Sequence, residues 1–398
     1  MIQQDPAASQ DLKELTLAEA LRLADERHPA LAVVRGRIEA AEGRMVQAGL
    51  LPNPEMVARM ESAPFKGGMT SEADFIVGAS QRLPIGGRLD AASRVEALDR
   101  DRLVREAEVL RLGIHARVHA AFATALYAVR TARLHEETRR FAQDGAEIAR
   151  ARLAAGDALA EDVDRVELEE IRARVEVARS RGLEVLALSG LAGAIGEAGF
   201  RIESVSGELE SALEIPTLDS ILAALERGPH AALGEAEIAV ARERVELAKA
   251  QRIPDVNLDL FYRRVGSLDR SALDVGLAVA IPLFDRNQGR IREALAETGA
   301  AEAQVRSTRN ELRTQVREAH ANLARAMIQA RLLKDEVLPR AARILEAAEK
   351  RHAAGDLALS EVLLMRRDRS AVRLAHLESL RDVLAAWTLL KPLALGPK

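Results

Sequence analysis

A six-residue stretch occurs twice in this chain, and it sets the plan of the whole sequence. Arg152–Asp157 reads Arg-Leu-Ala-Ala-Gly-Asp and Arg351–Asp356 reads Arg-His-Ala-Ala-Gly-Asp, so that five of the six positions are identical. Glycine readily adopts the left-handed conformation that ends a helix, and aspartate can cap the next helix. Each copy lies between two long alanine-rich segments with helical patterning. We therefore predict two helical hairpins with tight reversals at their tips, and hence an internal duplication.

The composition favours long helices and excludes several classes of protein. The chain has 398 residues, a net charge of −4, 3% aromatic residues and no cysteine. The lack of cysteine excludes disulfides, thiol catalysis, cysteine-based zinc sites and, in this form of the chain, a lipidated N-terminal cysteine. The charge predicts no nucleic-acid partner. Few aromatic residues among many Ala, Leu, Glu and Arg residues are typical of coiled coils, and no stretch reaches the ~18 apolar residues of a membrane-spanning helix.

The duplication divides the chain into an N-terminal extension over 1–14, a first repeat over 15–214 and a second repeat over 215–398. Within the first repeat, Thr16 and Glu19 have the spacing of a capping box at the start of a helix. The second repeat follows the same order of elements. We expect each repeat to contain short helices, a β-hairpin and a long helical hairpin.

The long helices are predicted from runs of apolar residues at helical spacing. A helix is expected over 88–155, with a return helix to about residue 194. In the second repeat a helix is expected over 288–354, interrupted only by Pro339, with a return helix that ends near residue 390. The tips lie at Gly156 and Gly355.

Four short segments alternate between polar and apolar residues and predict strands at about 55–62, 73–83, 255–263 and 272–281. When the two repeats are aligned, the apolar positions of corresponding strands coincide. An alignment shifted by one residue would instead match apolar positions with polar ones. Residues on the apolar sides that would face lipid in a membrane barrel are Leu258, Leu260, Val275, Leu277 and Val279. Residues on the opposite, polar sides are Glu55, Arg59, Glu61, Asp74, Asn257, Asp259, Arg263 and Asp274.

Two arrangements satisfy strands of this kind. They can form a small sheet covered by helices in a soluble α+β protein, or they can join other chains in an outer-membrane barrel. A membrane barrel needs at least about 8 strands, so four strands per chain would demand oligomerisation, and a trimer would supply twelve. Alternation alone leaves both arrangements open.

The sequence contains no recognisable set of catalytic residues, and we expect the protein to be neither an enzyme nor a cofactor-binding protein. The phosphate-loop, His-Glu-x-x-His and Gly-x-Ser-x-Gly motifs are absent from the sequence. His115 and His119 are four residues apart, a spacing that could hold a metal ion. The alternative is an ordinary surface or interhelical role, which is also the interpretation of the other isolated histidines, namely His135, His230, His320 and His376.

From Leu15 to Leu390 the order of elements resembles the TolC-like outer-membrane efflux family. The stretches that carry the resemblance are the two tips and the two junctions between hairpin and long helix. They are Arg152–Gly156 with Glu161–Val163, Arg351–Gly355 with Ser360–Leu363, Leu83–Arg88 and Ile281–Gly289. The last of these resembles the CzcC-like branch, which serves exporters of cobalt, zinc and cadmium.

The resemblance implies a mainly α fold with a small β part. It implies a homotrimer, a twelve-stranded barrel in outer-membrane lipid and a helical barrel that forms a periplasmic tunnel. It also implies two protein partners, a periplasmic adaptor and an inner-membrane pump. The start of the chain, Met1–Pro6, is polar and lacks an apolar signal-peptide core. Either a signal has been removed or the protein is not exported, so the expected localisation depends on the resemblance.

The resemblance also implies roles for residues around the tips. The tips would dock the adaptor, with small residues for close approach, leucines for apolar contact and arginines that reach carboxylates. The docking residues are Arg152, Leu153, Gly156 and Leu159 in the first tip, and Arg351, His352, Gly355 and Leu359 in the second. The carboxylates of Asp162 and Glu361 would ring a closed inner mouth. Alternatively, they are ordinary acidic residues at helix N-termini, where the helix dipole favours them.

Together these expectations describe a passive export duct, with divalent heavy-metal cations as its cargo. Two alternatives remain. One is a TolC-like duct for drugs or secreted proteins, because selectivity can lie in the pump. The other is a soluble coiled-coil scaffold, which the missing signal would favour.

Overall fold

A computed structural model describes residues 14–62, 73–209, 216–266 and 270–395, with side chains up to residue 391. The chain forms two compact units. The helical unit contains Met1–Val33, Glu108–Pro229 and Asn310–Lys398, and the sheet unit contains Val34–Ala107 and His230–Arg309. Each unit therefore draws segments from both halves of the sequence.

The helices account for most of the described residues. They are α1 (Leu17–Arg27), α2 (Pro29–Ala48), α3 (Arg88–Ala155), α4 (Ala160–Ile195), α5 (Leu218–Leu225), α6 (Pro229–Ala250), α7 (Gln288–Leu332), α8 (Leu338–Ala353) and α9 (Leu359–Leu395). None of them is long and apolar enough to cross a membrane within the part of the chain that the structure describes.

Threonine caps begin the corresponding short helices of the two halves. Thr16 forms the predicted capping box with Glu19, whose pKa is lowered by hydrogen bonds from the backbone and side chain of Thr16. Thr217 precedes α5, and its hydroxyl accepts a hydrogen bond from the Ser220 amide at 3.3 Å. Each cap satisfies a backbone N–H group that the first turn of a helix leaves without a partner.

The helical unit has two principal apolar clusters, one for each short helix. The first packs Leu23 of α1 against Ile114 of α3 and Leu191 of α4. The second packs Ile221 of α5 against Leu323 of α7 and residues of α9. The unit also contains a short parallel pair, β1 (Leu15–Thr16) with β4 (Val205–Ser206), which the sequence analysis did not predict.

The long helix predicted over 288–354 is divided by a π-turn at Leu333–Val337. Pro339 follows in the first turn of α8. Its ring has no N–H group and would clash with the carbonyl of residue 335 in a regular α-helix. A π-turn widens the backbone at such a position. The predicted interruption at Pro339 is therefore confirmed, but it begins six residues earlier.

The sheet unit contains four antiparallel strands: β2 (Glu55–Glu61), β3 (Asp74–Leu83), β5 (Val256–Val265) and β6 (Arg270–Val279). Their order in the sheet is β2-β3-β5-β6. The two predicted hairpins are present, and they join through β3 and β5, with Val77 opposite Tyr262. The predicted ends of the last strand were wrong, because β6 begins two residues earlier and Ile281 lies beyond its end. In this chain β2 and β6 are the two outer strands.

Candidate functional site

One face of the sheet carries mostly apolar residues, which come from all four strands. The five residues predicted to face lipid all lie on this face, with exposed fractions between 41% and 72%. Cross-strand pairing sets Leu258 opposite Leu277 and Leu260 opposite Val275. Val77 of β3 continues the face at 47% exposure. The described part of this chain therefore leaves a broad apolar sheet face uncovered.

The opposite face of the sheet carries a polar network. The Ser80 hydroxyl donates to Asp259 Oδ1 at 2.6 Å, which joins β3 to β5. Arg263 Nε donates to Asp274 Oδ2 at 2.8 Å, which joins β5 to β6. Both bonds join neighbouring strands on the polar face, where the alternation predicts charged and polar side chains.

This face is not wholly polar, however. Ile76 is 3% exposed and lies on it, and Phe261 lies beside Gly78. A Cβ at Gly78 would come within 2.1 Å of the Leu260 carbonyl oxygen and within 2.6 Å of the Phe261 Cα and ring, so glycine allows both the backbone of β5 and its aromatic side chain to approach. The Arg59 guanidinium lies 5.4 Å from the centre of the same ring. Sequence alternation identified the charged residues of this face but missed the aromatic residue that packs among them.

The two tips have the same backbone conformation. Gly156 and Gly355 have φ of 83° and 84°. In each tip the glycine N–H donates to the carbonyl three residues earlier, at 3.0 Å. The N–H of the following aspartate donates to the carbonyl of Arg152 at 2.8 Å or of Arg351 at 2.9 Å. This is the Schellman motif, and it explains why both copies retain glycine at the turn.

The leucines beyond the tips do not occupy equivalent positions. Leu159 is the third residue after its glycine, precedes α4 and is 70% exposed. The third residue after Gly355 is Ala358, whereas Leu359 is the first residue of α9 and is half-buried. The two leucines predicted to dock the adaptor therefore lie at different positions after their glycines and differ in exposure.

Other predicted docking residues of the tips are exposed to different degrees. Arg152 and Arg351 are exposed, and Leu153 is 39% exposed. His352 is half-buried, and its Nδ1 lies 2.7 Å from the carbonyl oxygen of Leu357. The imidazole therefore contacts the backbone of its own turn.

The predicted inner-mouth carboxylates lie in the first turns of the return helices. Asp162 and Glu361 each follow the tip glycine by six residues, and both are exposed. Just beyond them the two hairpins touch, where buried Leu363 packs with Val163 and Val166. This contact fixes the first turn of α9 against the first hairpin.

His115 of the histidine pair lies beside the carboxylate of Asp25, which the guanidinium of Arg111 also contacts. His115 Nε2 lies 2.8 Å from Asp25 Oδ1, and Arg111 donates two hydrogen bonds to the same carboxylate. Burial opposes the charged form of Asp25, but these bonds outweigh it and lower its pKa. Burial, with Lys391 and His115 nearby, lowers the pKa of His119 to about 4. No cluster of three potential metal ligands occurs among the described residues.

Sequence comparison relates this chain to a known protein family. The family model described as outer membrane efflux protein matches residues 20–197 and 221–394. The chain belongs to the outer membrane efflux protein family. The two matched segments correspond to the two halves of the sequence, and they include both tips.

Relatives of this efflux family member include metal-resistance proteins. The cobalt-zinc-cadmium resistance protein CzcC of Cupriavidus metallidurans is 27% identical over 376 residues, which cover 94% of this chain and 88% of CzcC. The nickel-cobalt-cadmium resistance protein NccC of Alcaligenes xylosoxydans xylosoxydans is 28% identical over 310 residues, which cover 74% of this chain and 67% of NccC. The predicted resemblance to the TolC-like family and its CzcC-like branch is confirmed.

A solved structure shows the same fold. The crystal structure of CusC, which is described as forming a transmembrane channel, matches with a TM-score of 0.76 at 17% identity. The match covers 96% of this chain and 92% of the CusC chain. The family is thus that of outer membrane efflux proteins, and the fold is the one seen in CusC.

Proposed function

We propose that this chain is one subunit of a trimeric outer-membrane duct for divalent heavy-metal cations. The observation that carries the proposal is the sheet, which has an uncovered apolar face and two outer strands that a second copy of the chain can extend. Three copies would supply twelve strands and close the sheet, which removes its edges and places the apolar face against lipid. The helical part would continue into the periplasm.

The outer strands are complementary to each other in charge. Antiparallel pairing of β6 with β2 of the next copy must keep both apolar faces outward, so the inward residues pair with one another. Only two registers then pair all the inward residues of β2 within β6. One sets Glu55 opposite Ala278 and brings Arg59 opposite Asp274. The other shifts the strands by two residues.

The second register also pairs opposite charges, because Glu55 opposite Gly276 brings Glu61 opposite Arg270. A shift of two residues beyond the first register sets Glu61 opposite Asp274, and a shift of two residues beyond the second sets Glu55 opposite Asp274. Like charges directly opposite each other destabilise a sheet. The charges on the outer strands therefore support an interface between copies in one of two registers.

Cysteine pairs can test this interface, because the native chain has no cysteine. Arg59→Cys with Asp274→Cys reports the first register, and Glu61→Cys with Arg270→Cys reports the second. Directly paired residues have Cα atoms about 4.5–5.5 Å apart, within reach of a disulfide. Within one chain the outer strands are separated by three strand spacings, about 14 Å, so only a disulfide between chains can form.

We expect one of the two double variants to give a covalent trimer on a non-reducing gel, while the single-cysteine variants stay monomeric on the gel. Native mass measurement in detergent should give the same threefold species for the unmodified protein. If neither pair cross-links and the protein is a water-soluble monomer, the duct is excluded and the coiled-coil scaffold is favoured.

The proposed cargo rests on the metal-resistance relatives. Deletion of the gene in its host should increase sensitivity to cobalt, zinc or cadmium, and the plasmid-borne gene should restore resistance. A change in drug sensitivity alone would favour the alternative duct for drugs or secreted proteins.

The partners in this proposal are a periplasmic adaptor and an inner-membrane pump. The exposed tip residues support adaptor docking, with Leu159 as the principal apolar contact. In a trimer, Asp162 and Glu361 would each occur three times, and such rings favour cations and resist closure by mutual repulsion. The duct itself supplies no energy.

A further inference from the structure

Two neighbouring cavities lie in the helical unit, between the first and second hairpins. The first has a volume of about 340 Å³ and is bounded by α3, α4, α8 and α9. The second has a volume of about 490 Å³ and is bounded by α3, α8 and α9. Both are lined by Leu134, Glu137, Arg369 and Arg373, so they share a wall. Their volumes lie in the range of small-molecule sites.

The floor of the first cavity is apolar. Leu134, Ala142, Leu345 and Leu363 line it, and each is no more than 5% exposed. Phe141 lines the same cavity beside them. This surface can accept the hydrocarbon part of a ligand.

The rim has an excess of positive charge. Seven arginines and three glutamates line the two cavities, in a chain whose net charge is −4. Several of these arginines are already paired within the protein. Arg373 lies 3.3 Å from Glu137, Arg367 lies 3.4 Å from Glu169, and Arg366 is bonded to Glu349.

Arg369 differs from these neighbours. It is half-buried on the shared wall, and among the described residues it has no hydrogen bond or ion pair. It lies four residues before Arg373, which places both side chains on one face of α9. A guanidinium presents several N–H donors in a planar fork that matches a carboxylate. A half-buried cation of this kind is favourable only when an anion or water compensates for its lost hydration.

We propose that the two cavities form a binding site for an amphipathic organic anion. Its carboxylate or similar head group binds Arg369 and Arg373, and its apolar body lies on the floor formed around Leu134 and Phe141. The site requires neither the lipid-facing sheet nor the tips. It therefore does not depend on which cargo passes through the duct.

Sodium decanoate and 1-decanol are suitable probes, because they have the same chain length and differ in charge. The whole assembled protein is placed in lipid nanodiscs, and each probe is titrated against bound 1-anilinonaphthalene-8-sulfonate by fluorescence. We expect decanoate to displace the dye at lower concentration than decanol. Inorganic phosphate should displace it poorly, because phosphate cannot use the apolar floor.

Three variants complete the test. Arg369→Gln should weaken decanoate binding by about tenfold or more, the effect of one charge-assisted hydrogen bond, and should leave decanol unchanged. Ala371→Trp, at an exposed position that lines the first cavity, should block both probes without any change in charge. Arg340→Gln, which removes an exposed arginine that lines neither cavity, should bind like the unmodified protein.

The proposal is overturned if Arg369→Gln and Arg340→Gln bind decanoate equally. It is also overturned if decanol or phosphate competes as well as decanoate. Trimer formation is measured in the same samples, so that a failure of this site is distinguishable from a failure of the proposed duct.

Discussion

The two helical hairpins share a turn but differ in almost everything around it. In the first hairpin, α3 runs for 68 residues without interruption, and its tip leaves Leu159 exposed. In the second, a π-turn divides the approaching helix, Leu359 is half-buried, and Leu363 packs into the first hairpin. A duplicated motif thus preserves its backbone conformation, because glycine dictates it, while the side chains beyond the turn differ in exposure and packing.

This comparison predicts unequal contributions of the two tips to adaptor binding. Leu159→Asp should weaken adaptor binding by about tenfold or more, since it removes most of the apolar area that a leucine buries at an interface. Leu359→Asp should have a smaller effect on binding. The measurement is titration of the purified adaptor against each variant trimer, accompanied by metal resistance in cells. Equal losses would show that both tips dock in the same way, and no loss in either variant would show that the tips are only turns.

A second prediction concerns stability at the contact between the hairpins. Leu363→Ala should lower the free energy of unfolding by about 2–5 kcal/mol, because it leaves a cavity beside Val163 and Val166. The counterpart of Leu363, counted from the tip glycine, is Asp164, which is exposed. Asp164→Ala should change stability by less than about 0.5 kcal/mol. Denaturant unfolding followed by circular dichroism measures both, and a similar cost at the two positions would contradict the proposed asymmetry.

A third prediction tests what the tips share. Gly156→Ala and Gly355→Ala should each cost about 1–2 kcal/mol, the penalty of a side chain in the left-handed conformation. A Cβ added at either glycine would meet no atom within 4 Å, so backbone conformation is the only expected cause. If one variant costs much more than the other, packing as well as backbone conformation distinguishes the two turns.

Features with a local cause were predictable from the sequence. The bounds of α3 match the expected 88–155, because a glycine flanks each end and no proline lies between them. The apolar phase of the strands was also predictable, since alternation with a period of two leaves only one choice of face. The tip turns were also predictable, because Gly156 and Gly355 readily adopt the left-handed conformation that ends a helix.

Features set by distant contacts were not predictable. The pairing of β3 with β5 joins residues nearly two hundred positions apart, and no local pattern encodes it. The two-residue strands β1 and β4 are shorter than any periodicity can reveal. The different exposure of Leu159 and Leu359 was not predictable from the composition of the two tips, because it depends on how each residue packs in the folded hairpins. Arg369 gave no signal in the sequence, because its environment depends on three helices.

The π-turn also accounts for a change of phase along the second hairpin. Buried residues of α7 follow a heptad spacing, with Val316, Ala319, Leu323, Ala326 and Ala330 facing the core. Continued without a break, that spacing would bury Ile344, yet Ile344 is 57% exposed and Leu345 is buried instead. A π-turn accommodates one additional residue per turn, which equals the observed shift. The segment Leu333–Val337 therefore absorbs a single-residue insertion, so that a change in chain length is compensated within one turn and does not propagate to the tip.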